Sequence, residues 1–245
     1  MTTLPPESAG PARFARYAVP PNRRGYCGPD PDEFAELAAA GGAAGDELRR
    51  TARAFEGAYP YLELLAGAAP SKDPLDDAVV EAYWLGNSLL DRVDVAALGR
   101  SLDERFRRRA GRRWYRFEPA VDGGCANHAF HVLVVSPWVG LMRQGVVDQP
   151  LEIVDRCRIS WGRVRAVVGD RAVVDRAPLR WQDGRLQLHP AEPEEVSSPV
   201  PVEPGDIVSI HWGTVCDVLS PRQLAALASV TRRQLELVDR IGVPS

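Results

Sequence analysis

The sequence predicts an α+β protein, a mainly helical N-terminal domain over residues 1–150 followed by a small β-barrel with a C-terminal helix over 151–245. Three observations lead there. Through about the first 120 residues, apolar side chains recur at spacings of three and four, the period of a helix with one buried face. From Leu151 onward, short β-rich runs alternate with turn signals. After the last of these runs, Ser220-Pro221 opens a long amphipathic stretch.

The helical half divides at its breakers. Glu33 to Ala40 is an Ala/Leu run closed by Gly41-Gly42. From Asp46 to Leu65, the residues Leu48, Ala52, Phe55, Tyr59 and Leu62 form a helical stripe that Pro60 breaks or kinks. Asp76 to Leu90 repeats the pattern with Val79, Val80, Tyr83, Trp84 and Leu85. Asp94 to Phe106 adds Leu98, Leu102 and Phe106 on one face. The basic cluster Arg107 to Arg113 reads as a solvated helix end or loop. Phe130 to Ser136 is dense in apolar and β-branched residues, and reads equally as a buried strand or the start of a buried helix. Gln149-Pro150 marks a boundary.

In the β half, Arg158 to Val168 reads as a strand, Gly169-Asp170 as a turn and Arg171 to Asp175 as a second strand. Leu179 to Trp181 and Arg185 to Leu188 read as a hairpin around Asp183-Gly184. Pro190 to Pro204 reads as a Pro/Glu/Ser-rich loop. Asp206 to Trp212 is the last clear strand, and Val215 to Leu219 extends the sheet. A helix then starts with Ser220 as N-cap and Pro221 in its first turn, and runs to about Arg240. Several short strands with turns between them predict a small barrel.

Composition narrows the function classes. The chain has 245 residues, 45% of them hydrophobic, and a formal net charge of -3. That balance argues against a general nucleic-acid binder, which is basic overall. No run of about 18 apolar residues exists, so no membrane span is expected. The N-terminus lacks a basic segment followed by an apolar one, so no secretory signal is expected and the predicted compartment is the cytoplasm. The four cysteines, Cys27, Cys125, Cys157 and Cys216, form no CxxC pair. A zinc ribbon is thereby excluded, and reduced thiols are expected. No GxGxxG, Walker A, GxSxG or HExxH motif is present.

The residues with chemistry to offer are few. A barrel would bring Cys157 and His211, far apart in sequence, to one edge, and a thiol with an imidazole suits iron, copper or zinc. The bland alternative is an apolar-face cysteine and a satisfied strand histidine. His128-Ala-Phe-His131 is an HxxH: on a helix both imidazoles share a face and can chelate, whereas on a strand they point apart. Trp161 and Trp212 flank the Cys/His pair and would contact a bound cofactor or shield it from water. Cys27, between glycines, reads as a turn residue. Cys216 reads as a small hydrophobe and a reserve ligand.

Three elements in order carry a resemblance. Cys157 is followed after four residues by Gly162-Arg163-Val164; Gly169-Asp170-Arg171-Ala172-Val173-Val174 comes next; and Pro204-Gly205-Asp206-Ile207-Val208 leads to His211 and Gly213. Over roughly residues 155–235 the chain resembles the small nickel–iron hydrogenase maturation chaperones of the HypC/HupF type. The helical region resembles an uncharacterised actinobacterial family. The first resemblance implies an OB-like barrel with a helix, and an iron fragment bearing cyanide and carbonyl ligands held by Cys157 and His211. It also implies a hydrogenase large subunit or another maturation protein as partner. The family's cysteine sits at a free N-terminus, whereas Cys157 is internal, and Trp161 stands where proline is common. The helical region must then shape the pocket or replace the free tip. Two other readings stand beside this one: a small metalloenzyme with a Cys/His iron or copper site, and a protein-binding module that has lost its metal and carries no cofactor.

Overall fold

The structure is a computed structural model that describes residues 6–41, 45–110 and 121–241, with backbone alone for 6–8 and 106–110. The fold is mixed α+β, with helices first, then strands, then a terminal helix. The described residues gather into two compact units, one of residues 6–110 with Cys125–Asn127, the other of residues 121–124 and 128–241. The basic cluster at 107–113 lies outside the residues whose side chains are described. Among the described residues no helix is long and apolar enough to cross a membrane.

The first unit is helical. Helix α1 (Pro6–Asn22) contains Pro11, Pro20 and Pro21, which hide it in a propensity reading. It nonetheless buries Phe14, Ala15, Tyr17 and Ala18. Helices α2 (Pro31–Ala40) and α3 (Gly45–Thr51) follow, α2 capped by the Asp30 carboxylate accepting from the Asp32 and Glu33 amides. The stripe expected over Asp46 to Leu65 is not one kinked helix. The chain leaves the helix after Ala54 and restarts at α4 (Tyr59–Ala68), with Pro60 in the first turn, where its missing N–H costs nothing. Helix α5 (Asp77–Trp84) and helix α6 (Val95–Ala110) complete the unit. Its core is aromatic: Phe14 meets Phe55 edge-on with ring centroids 5.2 Å apart, and Tyr17 stacks on Trp84 at 5.3 Å. The Asn127 amide donates to the Ala82 and Tyr83 carbonyls at the end of α5, at 2.9 and 2.8 Å.

The second unit opens with helical turns. Helix α7 (His128–Phe130) runs into a π-helical segment (His131–Val135) that buries Val132, Leu133 and Val134, so the apolar run at 130–136 is helical. Helices α8 (Trp138–Arg143) and α9 (Asp148–Cys157) lead to the strands. These are β1 (Ser160–Val168), β2 (Arg171–Arg176), β3 (Leu179–Gln182), β4 (Arg185–Leu188), β5 (Glu192–Ser197), β6 (Ile207–His211) and β7 (Thr214–Val218). Five close a barrel in the order β1-β2-β5-β7-β6, while β3 and β4 form a separate hairpin. Asp183 and Gly184 both have positive φ, the two-residue turn expected of Asp-Gly. Inside the barrel sit Val164, Ala172, Val174, Val196, Val208, Ile210 and Val215.

The stretch 190–204, expected as a loop, contains β5. This strand pairs along its length with β2 but meets β7 at a single parallel pair, Ser197 with Thr214. A nearly free edge tolerates Pro193 and three glutamates, which is why the segment reads as loop. Helix α10 (Pro221–Ile241) starts as the sequence indicates. The Ser220 hydroxyl accepts from the Gln223 amide at 3.3 Å, and the Gln223 side chain accepts from the Ser220 amide at 3.0 Å, a capping box.

A buried ion network fixes the end of α9. Arg158 is 1% exposed, and it donates to Asp155 Oδ1 from Nε and Nη2 at 3.3 and 3.1 Å and to the Ala177 carbonyl. Arg176 clamps the same carboxylate through Nη1 and Nη2 at 3.0 and 2.8 Å, and also binds Glu194. The Leu179 amide adds a bond to Asp155 Oδ1 at 2.8 Å. Burial alone would raise the Asp155 carboxyl, but the Arg176 hydrogen bonds and the charges of Arg158 and Arg176 outweigh it and hold it below its usual value. Burial lowers Arg158 to about 10, which leaves it charged at neutral pH.

Two substitutions test this account. Asp155→Ala leaves a buried guanidinium without its counter-charge and should cost about 3–5 kcal/mol of unfolding free energy. A Cβ on Gly162 would lie 2.4 Å from the Asp175 carbonyl oxygen, so Gly162→Ala should cost about 1–3 kcal/mol. Urea denaturation followed by circular dichroism checks both, and a midpoint unchanged from wild type in either variant contradicts the corresponding contact.

Candidate metal centre

Three of the four predicted metal donors meet. His128 opens α7, Cys157 is the last residue of α9 and His211 is the last residue of β6. One donor atom from each lies within 4.8 Å of the others. His128 Nε2 is 3.9 Å from Cys157 Sγ and 2.8 Å from the Cys157 carbonyl oxygen. The two imidazole rings stand edge to face with centroids 5.1 Å apart. His211 is fully buried and His128 nearly so, while Cys157 is half-buried.

The backbone makes this meeting local. In the two-residue turn between β6 and β7, Trp212 and Gly213 have φ of 51° and 70°. The Trp212 amide donates to the Arg156 carbonyl at 2.9 Å. That bond ties the residue before Cys157 to the residue after His211. On the other side of Cys157, Arg158 is anchored on Asp155, while the Arg156 guanidinium reaches Glu194 at 2.6 Å. The thiol therefore sits between two fixed neighbours.

Burial pushes the His128 imidazole down to about 4, partly offset by its hydrogen bond to the Cys157 carbonyl. It is neutral at physiological pH, the form in which imidazole binds metals. If Nε2 takes an ion, it exchanges the carbonyl bond for a coordinate bond and the ring proton resides on Nδ1. Two imidazole nitrogens and one thiolate are a donor set suited to zinc, copper and iron.

The other predicted residues are placed as follows. His131 begins the π-helical segment, half-buried, and is not among the three clustered donors. Trp212 is buried in the turn beside His211, and Trp161 is half-buried on β1 opposite Ser209. Cys216 is buried and donates to the Thr214 carbonyl at 3.5 Å. Cys125 belongs to the first unit. Sequence reasoning missed Asp155, Arg158 and Arg176, which position Cys157; the charged run Asp155-Arg156-Cys157-Arg158 holds the first two.

A family model described as "Family of unknown function (DUF6390)" matches residues 6–244. Comparisons with curated proteins and with solved structures give no match.

None of the four cysteines is in a disulfide, and their environments differ. Cys125 and Cys216 are buried, and burial pushes the half-exposed Cys27 thiol up to about 12. Since the thiolate is the nucleophile, iodoacetamide at neutral pH should modify Cys157 first, with Cys27 reacting only as the pH rises toward 12. Peptide mass mapping of the labelled chain gives the order. Cys27 labelling at neutral pH as fast as Cys157 contradicts this assignment.

Proposed function

We propose a function for this chain, which belongs to the DUF6390 family: it is a cytoplasmic accessory factor for nickel–iron hydrogenase maturation that carries an iron fragment on Cys157 and His211. One observation carries the reading. The two residues at the cysteine and histidine positions of the maturation-chaperone pattern, distant in sequence, have donor atoms within 4.8 Å of each other. The barrel adds support. With the β3–β4 hairpin set aside, its strands run first, second, third, fifth, fourth around the closure, with the third and fifth parallel, the connectivity of an OB fold.

The iron fragment is cargo. When bound, it would be held by a thiolate and a neutral imidazole, donors that suit low-spin iron. Its partner would be a hydrogenase large subunit or another maturation protein. Because Cys157 closes a helix instead of beginning a chain, it cannot probe a cleft as a free tip. Cargo would leave through the half-exposed Cys157 side of the site.

A second reading, a small metalloenzyme, is favoured by the third donor, His128. Three protein donors with an open position are typical of catalytic zinc. It requires one metal per chain and turnover of a small molecule.

The hydrogenase reading is tested by anaerobic purification from a host that makes nickel–iron hydrogenases, followed by infrared spectroscopy. Wild type should show cyanide and carbonyl stretches that Cys157→Ala and His211→Ala lack. A wild-type chain with neither bands nor iron sinks the reading.

A further inference from the structure

We infer that His128 is a third metal donor, so that the chain alone holds one divalent ion on His128, Cys157 and His211 with a fourth position open to an external ligand. This shares the Cys157–His211 pair with the proposed function but does not depend on a hydrogenase cargo. The pattern that singled out the pair contains no counterpart of His128, which comes from the helical segment ahead of it.

The spacing fits an ion. Metal bonds of about 2.0–2.3 Å place tetrahedral donors roughly 3.3–3.7 Å apart. His128 Nε2 and Cys157 Sγ stand at 3.9 Å, and no pair among the three exceeds 4.8 Å. Closing the donors by about 1 Å brings them to that spacing. The donors come from three separate elements, so the site forms only when the unit is folded. Two imidazoles and one thiolate select a borderline ion such as zinc, cobalt or iron over magnesium or calcium, which take oxygen ligands.

Accessibility sets where the open position lies. His128 and His211 are buried at 6% and 0% exposure, and Cys157 is the half-exposed member. The fourth position therefore faces the Cys157 side, where a small anion, water or one donor from a partner could enter.

The test is titration of the reduced full chain with cobalt(II), read by absorption and by X-ray absorption at the cobalt edge. Wild type should bind one cobalt with a thiolate-to-cobalt charge-transfer band, one sulfur neighbour and two imidazoles. His128→Ala should bind at least roughly tenfold more weakly and show one imidazole fewer. Cys157→Ala should lose the charge-transfer band. A wild-type spectrum with a single imidazole, no thiolate band, or a His128→Ala variant binding as wild type overturns the inference. If circular dichroism shows that His128→Ala does not fold, the wild-type imidazole count decides alone. Cobalt binding without cyanide or carbonyl bands in the infrared test defeats the hydrogenase reading and leaves this one standing.

Discussion

The candidate site depends on one backbone hydrogen bond, from the Trp212 amide to the Arg156 carbonyl at 2.9 Å. It joins a turn between two strands to the last turn of a helix. Its consequence is simple geometry: the neighbours of Cys157 and His211 are bonded, which sets the two residues' backbones side by side. Trp212 adopts a left-handed backbone, with φ of 51°, which a bulky residue rarely takes. The indole is buried, and that burial offsets the backbone cost.

A single hydrogen bond contributes only about 1 kcal/mol net. The register of α9 against the barrel is instead held by the Asp155 network, where one carboxylate serves two guanidiniums and an amide. Such a cluster contributes little net stability, since desolvating its charges offsets most of their attraction. Its effect is positional. A shift of α9 by one residue would carry Asp155 and Arg158 together away from Arg176, the Leu179 amide and the Ala177 carbonyl, and so break the network's bonds to the strands. The fold thus penalises displacement of Cys157 more heavily than it stabilises the site itself.

Elements with a local chemical cause were legible in the sequence. Asp183-Gly184 dictates the hairpin, and Ser220 with Pro221 marks the start of α10; the change to strands comes later than the expected Leu151, because Asp148–Cys157 is the helix α9 and Gln149-Pro150 lies inside it. Elements decided by tertiary contact were not. α1 lies in the stretch read as helical, but its three prolines hid its bounds, which the burial of Phe14 and Tyr17 sets. β5 is a strand despite its glutamates because β2 pairs with it and its other edge is almost unpaired. The same limit applied to the site. Cys157 and His211 stood out by residue type, but periodicity left 128–136 open between strand and helix. That ambiguity concealed whether His128, His131, both or neither could join them.

The structure also separates two kinds of residue in the sequence pattern behind the hydrogenase proposal. Gly162 is demanded by the close approach of β2, where any Cβ would collide with backbone. Gly169, Gly205 and Gly213 occupy turns with positive φ. Val164 and Val208 fill the barrel interior, and the Asp206 carboxylate accepts from the Glu203 amide to close its own turn. A barrel of this shape would need residues of these types whatever it did, so their match speaks for the fold. Cys157 and His211 are different. Neither belongs to the barrel's apolar core, and neither conformation requires its side chain. The functional weight of the proposal therefore rests on those two residues, and metal binding there is the property that separates a working site from a bare scaffold.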